Sequence, residues 1–143
     1  MPTQLLHTDA GVDWSELSEL YRVAPLGIKS ADWLRTAFSN SMFKCFAVES
    51  GVVVGAGRAV ADGVDVSYIC DIAVHPSHQG KGVGTRIVSD LLDRSRGHRK
   101  VILYSVPGRE ALYRKLGFRK MRTAMAIFGN SSKAVADGYL DEA

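Results

Sequence analysis

The run Gln79-Gly80-Lys81-Gly82-Val83-Gly84 puts three glycines within five positions, directly ahead of a segment with helical periodicity. Glycine lets the backbone turn tightly there and approach a ligand, because no Cβ stands in the way. The first N–H groups of a helix have no partner inside it and sit at the positive end of its dipole. Loop and helix start together make a cradle for an anion such as a pyrophosphate. Two common phosphate loops do not fit. A Walker loop requires GxxxxGK followed by Ser or Thr, whereas Gly80-Lys81 is followed by Gly82. The spacing is also wrong for a GxGxxG dinucleotide fingerprint opening a first β-α-β unit. A flexible turn would explain neither the triple glycine nor its fusion to a helix.

Other residues near the loop have chemistry to offer. Asp71 is the one acid inside the apolar run that leads to it, and His75 and His78 flank Pro76. Each histidine reads more readily as solvent-exposed than as catalytic. Tyr113 lies on a short amphipathic segment with Leu112 and Leu116, where a packing role competes with a chemical one. Cys45 and Cys70 are the only cysteines. They form no CxxC or metal-like spacing and sit in apolar runs, so both read as small core residues and no metal centre is expected.

These groups need a scaffold, and the pattern supplies one. Thr3–His7 reads as a short first strand. Asp13 followed by Glu16 is a capping-box arrangement ahead of Trp14, Leu17, Leu20 and Tyr21, a first helix to about Val23. Ser30 can cap a second helix in which Trp33, Leu34, Ala37 and Phe38 share a face. Phe43–Glu49 and Val52–Val60 flank the hairpin signal Ser50-Gly51. Val66, Tyr68, Cys70, Ile72 and Val74 lie on one apolar face of a further strand ending at Pro76. Val83, Ile87, Val88, Leu91 and Leu92 form the buried stripe of a helix that ends near Gly97. Val101–Val106 follows as a strand, Gly108–Leu116 as a short helix closed by Gly117, and Phe118–Phe128 as a last strand. The fold class is α/β, a mixed and largely antiparallel sheet flanked by about four helices.

At 143 residues, 46% hydrophobic and 23% charged, the chain fits a single globular domain over 1–143, with 129–143 as a peripheral tail. No apolar run approaches the roughly 18–20 residues of a membrane helix. The N-terminus lacks a basic region followed by an apolar stretch, which points to a cytoplasmic setting. A net charge of +3 is mildly basic. No interleaving of aromatic and basic residues accompanies it, so nucleic acid is not an expected partner.

Gln79, Gly82 and Gly84 fall on the diagnostic positions of a Q/R-x-x-G-x-G/A signature, and the chain resembles the GNAT N-acetyltransferases. The motif D-I-A-V-x-P at Asp71–Pro76 and the later A-L-Y-R-K-L-G-F at Ala111–Phe118 are typical of the same family and stand in its order. The resemblance covers nearly the whole chain. It implies acetyl-coenzyme A as co-substrate and transfer of the acetyl group to a primary amine, by direct attack in a ternary complex. The strand holding Ile72, Ala73 and Val74 would splay from its neighbour and pair with the pantetheine arm. Gln79 and the amides of Gly80, Lys81, Gly82, Val83 and Gly84, with Thr85, would hold the pyrophosphate, and Lys81, Arg86 and Lys115 are candidates for the nucleotide phosphates. The Val74 N–H would face the developing oxyanion. Tyr113 would protonate the leaving thiolate. An alkyl amine with a pKa of about 10.4 is mostly protonated at pH 7, a gap on the order of 4–5 kcal/mol; Asp71 is the candidate base, or else a structural aspartate of the splayed strand.

Some features depart from the family. Where many members have an asparagine seven residues before the tyrosine, this chain has Val106, followed by Pro107, and Ser105 would replace the amide. Only one strand follows the last helix, which leaves room for a homodimer that completes the sheet. The apolar loop around Val23, Pro25, Leu26 and Ile28 favours a small, arylalkylamine-like acceptor. A protein lysine or N-terminal amine is the alternative acceptor, and a non-catalytic acyl-coenzyme A-binding domain the alternative class.

Overall fold

The computed structural model describes residues 2–143. Two compact units divide the chain, the first ending at Leu103 and the second spanning Tyr104–Ala143.

The first unit begins with β1 (Gln4–Leu6), α1 (Trp14–Val23) and α2 (Ala31–Ser39). Both expected caps are in place: the Asp13 carboxylate accepts from the N–H groups of Ser15 and Glu16, and the Ser30 hydroxyl from Trp33 N. Glu16 does not close the capping box. Its carboxylate instead accepts from Val53 N at 2.8 Å, tying α1 to the sheet. Leu17, Leu20 and Tyr21 of α1 pack with Leu34 and Phe38 of α2 in one buried cluster. Burial of each such side chain contributes about 1.5–3 kcal/mol.

Strands β2 (Phe43–Glu49), β3 (Val52–Ala61) and β4 (Val66–Val74) form an antiparallel meander, and β5 (Lys100–Ile102) adds in parallel to β4. The sheet order is β1-β2-β3-β4-β5. Phe46, Ala56 and Ala73 meet α1 and α2 on one face. Helix α3 (Val83–Arg94) covers the other, burying Val83, Ile87, Val88 and Leu91. The approach of α3 is close because β3 carries Gly57. A Cβ there would lie 2.5 Å from Ile72 Cδ1 and 2.8 Å from Ile87 Cγ2.

Strict alternation along β4 is broken. Gly57 of β3 stands opposite two residues, Asp71 and Ile72, and Asp71 takes a left-handed φ of 55°. This is a β-bulge, and it exchanges the faces. Before it, the Ser67 hydroxyl bonds Ser95, the C-cap of α3, at 2.8 Å; after it, Ala73 joins the α1–α2 cluster, while Ile72 and Val74 turn to the α3 side. The single apolar face expected from Val66 to Val74 is therefore corrected.

The second unit contains α4 (Glu110–Lys115) and α5 (Ser131–Ala136), with no strand. Helix α4 sits within the expected Gly108–Leu116, and Gly117 follows at φ 99°. Two expectations fail. Strand β5 stops at Ile102, short of Val106, and Phe118–Phe128 forms no strand. Met125 and Ile127 are 95% and 101% exposed, so that segment has neither a ladder partner nor a face to bury, and β propensity alone does not hold a strand. Within the tail at 129–143, Ser131–Ala136 forms α5, capped by the Asn130 side chain through Lys133 N. Tyr104, Phe128 and Tyr139 rings meet at 5.5–6.1 Å to fix it within this unit. The described residues form five α-helices, in keeping with a mixed sheet flanked by about four.

Candidate functional site

Position by position, the loop between β4 and α3 has the expected chemistry. Pro76–His78 forms one 3₁₀ turn, after which Gly80 and Gly82 both adopt left-handed backbone, with φ of 80° and 81°. Residues other than glycine are held there only at a cost of roughly 1–2 kcal/mol. Gly82 is the N-cap of α3 and offers it no side-chain cap. The first helical hydrogen bond runs from Arg86 N to Gly82 O, so the N–H groups of Val83, Gly84 and Thr85 have no acceptor inside the helix. Space over Gly80 and Gly82 is open, whereas a Cβ on Gly84 would touch Val74 Cγ2 at 3.4 Å. Three bare N–H groups at a positive helix end make an anion cradle. Lys81 stands exposed beside it. Arg86 is partly committed, because its Nη1 donates to Thr3 O at 3.2 Å.

Within the first unit, the strand that feeds the loop lacks a partner strand along part of one edge. Pairing of β4 with β5 ends at Tyr68 with Ile102, and no strand of the first unit follows along Ile72–Val74 on that side. His75 N donates to Val54 O at 2.8 Å, and the register sets Gly55 opposite Val74. Hydrogen-bonded and non-bonded pairs alternate in an antiparallel ladder. Val74 therefore turns its N–H and C=O away from β3, toward the edge that β5 has left. Gln79 Nε2 takes the Val74 carbonyl at 3.0 Å and braces the end of the strand.

At the bulge, Asp71 is tied from two sides. Its carboxylate accepts from Arg58 Nε at 2.7 Å, and its carbonyl accepts from Tyr21 OH at 2.5 Å. Burial, then the Asp71 charge, pushes the Tyr21 phenol well above its ordinary value, so it remains a donor. Arg58 also reaches Ser41 Oγ at 3.2 Å and lies over the Trp33 ring, with Lys29 Nζ on the same ring at 4.9 Å. A concave surface of about 650 Å³ opens here, lined by Asp32, Trp33, Thr36, Asn40, Arg58 and Val60. Sequence reasoning missed Arg58. The available signal was a lone cation in the otherwise apolar run of β3.

His75 and His78 are not bare surface histidines. Ser77 Oγ bonds the Nδ1 of each at 2.8 Å, and His78 Nε2 meets Glu49 at 2.5 Å. The pair braces the turn before the loop.

In the second unit, Ser105 lies off any strand and its hydroxyl donates to Val106 O at 2.9 Å. Tyr113 is on α4, its ring edge-on to Phe118 at 6.2 Å. Burial raises its phenol above the ordinary value, with Arg109 acting the other way.

The sequence model described as the Acetyltransferase (GNAT) family matches residues 7–118. Serotonin N-acetyltransferase 2, chloroplastic, from Oryza sativa subsp. japonica is 31% identical over 119 residues, 78% of this chain and 58% of that protein. Glucosamine 6-phosphate N-acetyltransferase from Trypanosoma brucei brucei is 41% identical over 64 residues, 43% of this chain and 44% of that protein. The chain thus spans about half the length of these relatives. Among solved structures, a GNAT family acetyltransferase from Streptococcus pneumoniae superposes with a TM-score of 0.76 at 23% identity, covering 90% of this chain and 98% of that one. At that identity the likeness is one of fold.

Proposed function

The chain belongs to the Acetyltransferase (GNAT) family, and from that premise we propose that it transfers an acetyl group from acetyl-coenzyme A to the amine of a small molecule. One observation carries the reading. A braced strand edge, with the Val74 N–H directed along it, runs into a helix start with three bare N–H groups.

When bound, acetyl-coenzyme A supplies an activated acetyl thioester. The N–H groups of Val83, Gly84 and Thr85 hold its pyrophosphate, with Gly80, Lys81 and Gly82 shaping the turn around it. Ile72, Ala73 and Val74 present the strand edge to the pantetheine arm. The Val74 N–H donates to the carbonyl oxygen on which negative charge develops. Tyr113, kept protonated, would donate the proton that the leaving thiolate takes up, while the proton lost by the amine nitrogen passes to solvent, from which Tyr113 is reprotonated. Ser105 contributes at most a backbone contact, since its hydroxyl is used locally. Asp71 acts by fixing the bulge: its Oδ2 is committed to Arg58, which favours a positioning role over that of the base.

The acceptor rests against Trp33, 46% exposed on the concave surface beside the bulge. An aromatic wall suits an arylalkylamine. A second reading, an amine that carries a phosphate, is favoured by Arg58 and Lys29 beside the same ring. The three-residue edge strand β5 is where a second copy would extend the sheet.

Thiol release from acetyl-coenzyme A tests this, with arylalkylamines, glucosamine 6-phosphate, polyamines and lysine peptides as acceptors. Amine-dependent release that Gly82→Asp abolishes is the expected result, and the best acceptor decides between the two amine classes. Tight binding without turnover would leave a non-catalytic acyl-coenzyme A-binding domain, and no binding at all would overturn the reading.

A further inference from the structure

A second polar cluster lies outside both the glycine loop and the bulge. The β1–β2 register pairs Leu6 with Phe46, so the next residue, His7, stands opposite Cys45. Asp90 reaches the pair from α3. His7 Nε2 lies 3.1 and 3.0 Å from the two Asp90 oxygens, and the Cys45 sulfur faces the same carboxylate. The imidazole nitrogen, the sulfur and the carboxylate oxygen all lie within 4.8 Å of one another. Cys45 is fully buried, while the His7 and Asp90 side chains keep 32% and 20% of their surface. The cluster therefore has a closed floor and an open mouth.

A buried strand cysteine ordinarily packs as a small apolar residue. This one faces an imidazole and a carboxylate, and the three donors suit a borderline divalent ion. Zinc takes sulfur at about 2.3 Å and nitrogen or oxygen at about 2.0–2.2 Å, which sets tetrahedral ligands roughly 3.5 Å apart. Closing the cluster to that span takes about an ångström of side-chain movement.

We propose that His7 Nε2, Cys45 Sγ and one Asp90 oxygen bind a divalent cation of the zinc class, with water in the fourth position. On binding, the Cys45 S–H bond breaks, the sulfur lone pair forms the bond to the metal, and the proton leaves to solvent. The metal is neither oxidised nor reduced. Thiolate and carboxylate together neutralise the dication, against the nearby charges of Arg86 and of Arg94, whose Nε keeps an Asp90 oxygen at 3.2 Å. The site would staple β1, only three residues long, to β2 and α3.

Cobalt titration of the full chain, stripped with chelator and free of any histidine tag, tests the site. The expected result is a thiolate-to-cobalt charge-transfer band with tetrahedral visible bands, saturating at one equivalent and bleached by Zn²⁺. Cys45→Ser should remove the charge-transfer band and Cys70→Ser should keep it. His7→Gln and Asp90→Asn alter partly exposed residues and preserve the fold, which circular dichroism checks. Each should weaken cobalt binding by at least about 10–100-fold, the loss that even outer-shell changes cause. No charge-transfer band, a band that survives Cys45→Ser, or unchanged affinity in both His7→Gln and Asp90→Asn would overturn the proposal.

Discussion

Arg58 on β3 holds the Asp71 carboxylate at 2.7 Å across the bulge in β4, and thereby fixes the one left-handed residue in that strand. The bulge redirects everything that follows. Ile72 and Val74 turn to the α3 side, and the Val74 N–H faces the open edge. A residue that shapes the strand and a residue that takes the substrate proton leave different marks on the rate. We expect Asp71→Asn to lower kcat/KM at least about tenfold and stability by about 1.5–3 kcal/mol, the value of a hydrogen bond to a charged partner. The acidic limb of the pH–rate profile should persist in that variant. Its disappearance would make Asp71 the base.

Gly82 is the sharpest test of the anion cradle. Its φ of 81° strains any side chain, although the space above it is open. Gly82→Ala should weaken acetyl-coenzyme A binding roughly tenfold, from about 1–2 kcal/mol of backbone strain at the N-cap. Gly82→Asp adds a carboxylate where the phosphates would lie and should abolish measurable binding. Calorimetric titration of both variants, with thermal melts to confirm folding, checks this. Equal affinity in all three proteins would place the phosphates elsewhere.

The loop was legible in the sequence because its signals are local. Gly80 and Gly82 are there for backbone angle, and Asp13 and Ser30 cap their helices through neighbours two or three residues away. What was not legible depends on distant partners. Arg58 and Asp71 are joined by β-ladder register and a one-residue bulge, neither of which periodicity shows. His7 follows β1, while Cys45 lies on β2 and Asp90 on α3, so cysteine spacing could not group them. Phe118–Phe128 has strand-like composition, yet a strand needs a neighbour, and composition does not supply one.

The seat of α3 on the sheet depends on Gly57. A methyl group there would meet Ile72 and Ile87 well inside van der Waals contact, and Leu91 Cδ1 at 3.1 Å. Gly57→Ala should therefore destabilise the fold by about 1–3 kcal/mol through overpacking, despite removing a flexible glycine. Urea denaturation at unchanged m-value measures it. Because Ile72 lies on the cofactor strand, the KM for acetyl-coenzyme A should rise too. A neutral or stabilising effect would mean that the helix sits farther from β3.

Alkaline pH should unfold this protein by a route that Cys70 and Tyr21 share. Burial, aided by Asp71, pushes the Cys70 thiol from 9.0 up to about 11, and raises the Tyr21 phenol above 10.0. The unfolded chain releases these protons first, while the folded chain retains them. Stability is therefore fully present below about pH 9 and falls as pH rises through the folded values, by up to about 1.4 kcal/mol per unit for each group. Cys70→Ala should flatten the loss between about pH 9 and 11. Urea midpoints at about pH 8 and about pH 10.5 measure the difference, and identical slopes in the two proteins would exclude Cys70 as a source.

Tyr113 carries the prediction that bears most directly on chemistry. Its phenol is raised above the ordinary 10.0 by burial, so the protonated donor form extends to higher pH than for a free tyrosine. A donor to the leaving thiolate is worth roughly 10²–10⁴ in rate. Tyr113→Phe should lower kcat by that order while the KM for acetyl-coenzyme A changes only a few-fold, since the ring and its contact with Phe118 remain. The alkaline limb of wild-type kcat, beginning above about pH 10, should vanish with the hydroxyl. If kcat is unchanged, Tyr113 is a packing residue of α4 and the thiolate takes its proton from water. If kcat falls but the limb stays, the hydroxyl orients the thioester without giving up a proton.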